Sequence, residues 1–227
     1  MLLEVDSVTK SFPTQDTVVL DQVSFGLDAG ERVGIIGASG CGKTTLARII
    51  AHLEGADAGR ITFNGATVDF NNARPSREQL RAVRSAWLDM QMVFQNPAAS
   101  FSDHMSIGAS IWEGAAYHPK FSRTERTKRE DLVACTLDVV GLDRSVAAKR
   151  AFELSGGECQ RAAIARAIIG GAKLLICDEA TSSLDVTVQA RIMELLARLH
   201  AERGMAILFI SHDLTLVQSF CDRIYSL

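Results

Sequence analysis

The 227-residue chain has no excess of charge of either sign: 24 lysines and arginines stand against 27 aspartates and glutamates, a formal net charge of −3. That balance removes any global attraction to DNA, RNA or anionic lipid and leaves only local patches to consider. No run of about 18 uncharged apolar residues occurs, so nothing reads as a membrane span. The start, MLLEVDSVTKSF, lacks the basic segment and apolar stretch of a secretion signal. The five cysteines, Cys41, Cys135, Cys159, Cys177 and Cys221, contain no CxxC pair and are odd in number, which argues against a disulfide framework or a zinc site. Internal repeats and low-complexity segments are also missing. These absences imply a soluble, cytosolic chain, and the length suits one domain with a sizeable core.

What is present is alternation. Residues 2–10 and 18–27 read as strands, with a turn near Asp16, and residues 32–36 as a short apolar strand. A glycine-rich loop and a helix over 43–53 follow, then a strand over 60–63 ending in the hairpin-type turn Asn64-Gly65, and another strand over 90–94. Residues 101–150 are helical in pattern. A helix over 155–169, a strand over 173–177, a helix over 186–202 and a strand over 205–210 complete the pattern. Helices between nearly continuous apolar strands predict an α/β fold whose parallel sheet is covered on both faces, with the central helical stretch an inserted subdomain. Cys177, closing one such strand, reads as a small buried residue.

The segment Gly37-Ala38-Ser39-Gly40-Cys41-Gly42-Lys43-Thr44, followed by Thr45, matches GxxxxGK[ST] between a strand and a helix. Its glycines let the backbone wrap a phosphate chain and turn successive N–H groups inward, and the helix start adds a favourable dipole. Lys43 is expected at the β- and γ-phosphates of ATP and the Thr44 hydroxyl on Mg²⁺. Cys41, inside this loop, is placed for alkylation. The apolar strand ending in Asp178-Glu179 supplies a carboxylate for Mg²⁺ (Asp178) and a general base for the attacking water (Glu179). Alone, such a strand end is a weak signal; the phosphate loop gives it weight.

Further segments are Gln95 after MQMVF, Leu154-Ser155-Gly156-Gly157-Glu158 opening a helix, Ser183-Leu184-Asp185, and His212 after AILFI. Their order and spacing resemble those of ATP-binding-cassette (ABC) ATPases over nearly the whole chain. The resemblance implies a P-loop NTPase of ABC type spanning 1–227: a mostly parallel core over about 1–95 and 151–227, an N-terminal antiparallel β-subdomain, and a helical subdomain over about 96–150 plus the start of the signature helix. Ser155 is a natural N-cap, and the two glycines make that helix start a second anion site. The resemblance explains the second site by a head-to-tail dimer, homomeric or heteromeric, in which this helix closes over the partner's ATP. It also implies that His212 contacts the γ-phosphate, Asp185 crosses the interface, and Gln95 senses Mg²⁺ or the lytic water. Phe12 stands where such proteins carry an adenine-stacking aromatic; the alternative is an edge-strand aromatic packed on the sheet.

The wording around Gln95, Ser155 and Cys177 is similar to that of the oligopeptide, dipeptide and nickel importers. This implies an ATPase peripheral to the cytoplasmic face of the inner membrane, docked to transmembrane permease subunits and served indirectly by a solute-binding protein. Importers of phosphonates, metallophores or amino acids remain alternatives. So does a soluble ATPase acting on nucleic acid or macromolecular assembly, although residues 43–178 show no sustained heptads. No nucleic-acid partner is expected, and Arg77, Arg81 and Arg84 on one helical face read as solvated charge. Phe101, Met105, Ile107, Ile111 and Trp112 are the candidates for permease docking, with core packing equally open for Ile107 and Ile111. The chain stops at Leu227, before the final hairpin of such proteins, and is expected to lack it, being either naturally short or truncated.

Overall fold

Two sheets with different logic share one body. The computed structural model describes residues 1–12, 17–71, 75–121, 123–182 and 184–227; the expected turn at Asp16, and Ser183, lie outside the described residues. Strands β1 (Leu3–Phe12) and β2 (Thr17–Leu27) pair antiparallel, and β3 (Arg32–Ile36) leads through the glycine-rich loop into helix α1 (Lys43–Ile50). The hairpin of β4 (Ala58–Phe63) and β5 (Ala66–Asp69) turns at Asn64 and Gly65, both with positive φ, as a two-residue hairpin with right-handed strand twist requires. The antiparallel sheet has the order β2-β1-β4-β5.

Helix α2 (Arg77–Trp87) opens with a capping box between Ser76 and Gln79 and delivers the chain to β6 (Met90–Val93). The predicted helical stretch contains α3 (Ile107–Ala116) and α4 (Arg126–Val139), joined and followed by short 3₁₀ turns. Then come α5 (Gly156–Ile168), β7 (Leu174–Asp178), α6 (Val186–Arg203), β8 (Ala206–Ile210), α7 (Leu214–Phe220) and β9 (Arg223–Ser226). The second sheet runs β6-β7-β8-β3-β9, every pair parallel.

Burial follows the two-residue period of the strands. On β7, Leu175 and Cys177 join the core under α3, α5 and α6, whereas Leu174 and Ile176 join the core shared with α1 and the antiparallel sheet. On β8, Ile207 and Phe209 divide from Ala206, Leu208 and Ile210 in the same way. Both faces are covered, hence the unbroken apolar runs.

The C-terminal residues add a strand that the sequence pattern did not show. Residues 223–226 form β9, a parallel edge strand whose Val33↔Arg223 and Ile36↔Ser226 pairings extend the ladder beyond β3. Arg223 ties it to the N-terminal half through an ion pair with Glu31 and a hydrogen bond to Gly26 O.

Candidate functional site

The loop after β3 keeps its shape because two positions need glycine. Gly40 and Gly42 have φ of 81° and 104°, and a Cβ on Gly42 would sit 2.8 Å from Val19 O, a backbone atom that cannot swing away. Lys43 is 5% exposed, and its ammonium donates to Gly37 O and Ala38 O, both at 2.8 Å, with Cys41 Sγ 3.9 Å away. The lysine charge is thus held inside the loop by carbonyl oxygens.

The carboxylate pair emerges from the strand next but one. Asp178 is buried, and Thr44 Oγ1 donates to its Oδ1 at 3.2 Å. Desolvation pushes the Asp178 carboxyl above its ordinary range; the Thr44 bond works against this and the neighbouring Glu179 charge adds to it. Glu179 has a φ of 47°, a left-handed backbone that costs a non-glycine residue on the order of 1 kcal/mol. Its N–H donates to Ile210 O at 2.9 Å, which fixes the turn against the end of β8. Gln95 Nε2 donates to Glu179 Oε2 at 3.2 Å, and His212 Nδ1 lies 3.4 Å from Oε1. The parallel order β7-β8-β3 brings Glu179, His212 and the phosphate loop to the C-terminal ends of adjacent strands.

Part of this constellation borders a cavity of about 500 Å³, whose lining does not include Asp178 or His212. Ser39, Gly40, Gly42, Lys43, Thr44 and Thr45 line it from the loop; Phe12, Gln95 and Glu179 line it from elsewhere. Val19, not anticipated from sequence, lines it too.

Ser155, Gly156, Gly157, Glu158 and Asp185 are not part of this cavity. Ser155 caps α5 in a reciprocal box: its Oγ accepts from Glu158 N at 3.3 Å, and Glu158 Oε2 accepts from Ser155 N at 2.9 Å. Donation to that carboxylate from Ser155 N, and from Ser155 Oγ at 2.7 Å, holds it below its usual range, so the anionic group at this helix start is the chain's own. A Cβ on Gly157 would meet Val188 Cγ1 at 2.7 Å, packing the signature segment against α6. Asp185 caps α6, accepting from Val188 N at 3.0 Å.

The docking candidates divide. Ile107 and Ile111 are core residues, and Phe101 is buried beneath the Arg166 guanidinium, 4.5 Å from its ring centroid, while Arg166 also donates to Ser100 O and Oγ. Phe101, Ile107 and Ile111 therefore face inward, and Met105 and Trp112 are half-buried. An apolar groove of about 690 Å³ opens instead between α3 and α4, with Ala109, Trp112 and Val133 in its walls and Arg126 and Arg129 on its rim.

Among the described residues no cluster of three or more His, Cys, Asp or Glu side chains is set to bind a metal. A desolvated Asp178 carboxylate beside the Thr44 hydroxyl does offer two hard oxygen donors, which fits a small divalent cation that takes its other ligands from phosphate and water. No helix among the described residues is long and apolar enough to cross a membrane.

A model of the ABC transporter family matches residues 20–182. The oligopeptide transport ATP-binding protein OppF of Escherichia coli is 42% identical over 213 residues, 93% of this chain and 61% of that protein. OppF of Bacillus subtilis is 39% identical over 225 residues, covering 98% of this chain and 71% of that one. The chain thus spans about three fifths of the length of the E. coli relative. Among solved structures, the ATP-binding cassette MJ0796, described as dimeric and bound to ADP and Pi, has the same fold: TM-score 0.83, 24% identity, covering 100% of this chain and 94% of that one. The cbiO1 protein of Clostridium perfringens, described as part of the ABC transporter complex cbiONQ, superposes with a TM-score of 0.81 at 26% identity, covering 99% and 84%. With the family match running through most of its length and relatives at this identity, the chain belongs to the ATP-binding proteins of the ABC transporter family.

Proposed function

We propose that the chain binds and hydrolyses MgATP to energise a membrane permease that imports peptides or a related small solute. The observation that carries the chemistry is Glu179, held between Gln95 and His212 at the mouth of the cavity that the phosphate loop lines. Lys43 exchanges its loop carbonyls for the β- and γ-phosphates, and backbone N–H groups of residues 38–45 take the remaining phosphate oxygens. Thr44 and Asp178 hold Mg²⁺, which supplies charge neutralisation for the phosphates. Glu179 accepts the proton of the attacking water, Gln95 orients that water, and His212 contacts the γ-phosphate. Phe12 stacks on adenine at the far end of the cavity.

Hydrolysis is completed by a second ATP-binding copy or a sister chain arranged head to tail. The start of α5 with Ser155, Gly156 and Gly157 faces the partner's nucleotide, and Asp185 lies at the interface. That none of these residues lines the chain's own cavity supports that reading, as does the dimeric form described for MJ0796. The peptide-import names of the relatives support a permease partner, a solute-binding protein acting through it, and a peripheral place on the cytoplasmic face of the inner membrane.

The test is a pull-down with this chain from detergent-solubilised membranes, paired with phosphate release from MgATP. Recovery of integral membrane proteins together with ATP hydrolysis is expected. Recovery of ribosomes or DNA would overturn the transport reading, and failure to bind MgATP would overturn the chemistry.

A further inference from the structure

Phe12 has no hydroxyl with which to fix a base, yet it does not stand alone. The Lys10 ammonium lies 5.1 Å from the centroid of its ring, within cation–π range. Lys10 is drawn in, with only 13% of its side chain exposed, and two carboxylates hold it: Asp57 Oδ1 at 3.5 Å and Glu54 Oε1 at 3.6 Å. Asp57 is itself pinned. Ser11 N and Ser11 Oγ donate to its Oδ2 at 2.6 and 2.8 Å, and Asp57 N donates to Thr9 O at 2.9 Å. The Ser11 bonds hold the Asp57 carboxyl below its usual range, so it stays ionised through neutral pH. Residues 9, 10 and 11, which precede the aromatic, are thereby all tied to the segment before β4.

Phe12 lines the cavity and Lys10 does not, so the ring stands between a cation outside the lining and the space of the cavity. A cation against one face of a phenyl ring draws π density toward itself and leaves the opposite face less negative. That face is then a better platform for an electron-rich π system such as a purine. The same contact takes rotational freedom from the ring before any ligand arrives.

We propose that Lys10 is a positioning residue for the nucleotide base: clamped by Asp57 and Glu54, its ammonium immobilises and polarises Phe12 so that the free face stacks adenine. The inference rests on the reading of the cavity as an ATP site, and its test separates the two.

Affinities for MgATP and for magnesium tripolyphosphate, which has phosphates and no base, are measured by calorimetry, with thermal unfolding as the check on folding. Lys10→Met should weaken MgATP about three- to tenfold, in keeping with a partly desolvated cation–π contact, and leave tripolyphosphate unchanged. Lys10→Arg should retain the MgATP affinity, and Lys10→Met should add nothing in a Phe12→Leu background. Equal weakening of both ligands, an unchanged MgATP affinity, or additive losses with Phe12→Leu would overturn the proposal. Should Lys10→Met fail to fold, Asp57→Asn, which loosens the clamp and keeps the lysine, must give the same ATP-selective loss, and its absence overturns the proposal. A wild-type chain that binds neither ligand overturns the ATP reading itself.

Discussion

Gln95 Nε2 donates to Glu179 Oε2 across 3.2 Å, joining the residue beyond β6 to the residue beyond β7. With His212 on the other carboxylate oxygen, Glu179 is oriented by protein groups on both sides. The left-handed backbone at Glu179 aims the side chain, and the two neighbours keep it there.

Replacing the carboxylate tests its role directly. Glu179→Gln keeps the volume and the capacity to hydrogen-bond and removes the base. Steady-state phosphate release should fall at least ~100-fold while MgATP binding persists. Release near the wild-type rate would take the role away from Glu179.

Asp178 gives a pH prediction. Its carboxyl is raised above the ordinary 3.8 by desolvation, so the fold favours the protonated form. The associated stability is fully present below the unfolded value and is lost as pH rises through the folded one. Nucleotide-free Asp178→Asn should therefore melt higher than wild type at neutral pH, by about 2–4 °C if the relief is near 1 kcal/mol, and the gap should close in acid. Mg²⁺-dependent nucleotide affinity should move oppositely in wild type, rising with pH through the same window, and should be lost in Asp178→Asn. Unfolding scans and titrations across pH measure both.

Assembly in trans predicts that hydrolysis rises faster than linearly with protein concentration. Lys43→Ala and Ser155→Arg chains, each inactive alone, should regain part of the activity when mixed, since every mixed dimer keeps one intact composite site. Loss of the Ser155 cap should itself cost about 1 kcal/mol of stability, so the thermal midpoint is checked alongside. Linear dependence without rescue, where dimers are shown to form, would make each monomer self-sufficient.

Docking is tested at the groove between α3 and α4. Charge at Phe101 would disturb the core and the Arg166 contact, so a loss of transport there would not report on docking alone. Ala109 is exposed in the groove wall. Ala109→Glu should leave MgATP affinity unchanged and abolish co-purification with the permease. Retained co-purification would move the docking site elsewhere.

The parts of the molecule that local chemistry dictates were legible in the sequence. The glycine-rich loop, the Asp178-Glu179 strand end and the two-sided burial of β7 and β8 each follow from a short stretch of residues. Other features depend on partners far along the chain. The inward pointing of Ile107 and Ile111 has the same helical spacing as a docking face, and only the packing of α3 on α5 decides between them. β9 is four residues with a ladder on one side alone, too short and too exposed to show a period. The support of Lys10 beneath Phe12 needed the segment at Asp57, brought close by the pairing of β1 with β4.

The neighbourhood of β3 and β8 has a consequence for the birth of the protein. Arg32 pairs with Ile207 and Ile35 with Ile210, so the strand that launches the phosphate loop waits for partners made 175 residues later. At ~5–20 residues per second, the first half of the site emerges from the ribosome about ten to thirty-five seconds before the second. During that interval an apolar strand lacks its central neighbour, and closing so long a loop is slow. Nucleotide is therefore expected to give the nascent chain no stabilisation until β8 has docked against β3.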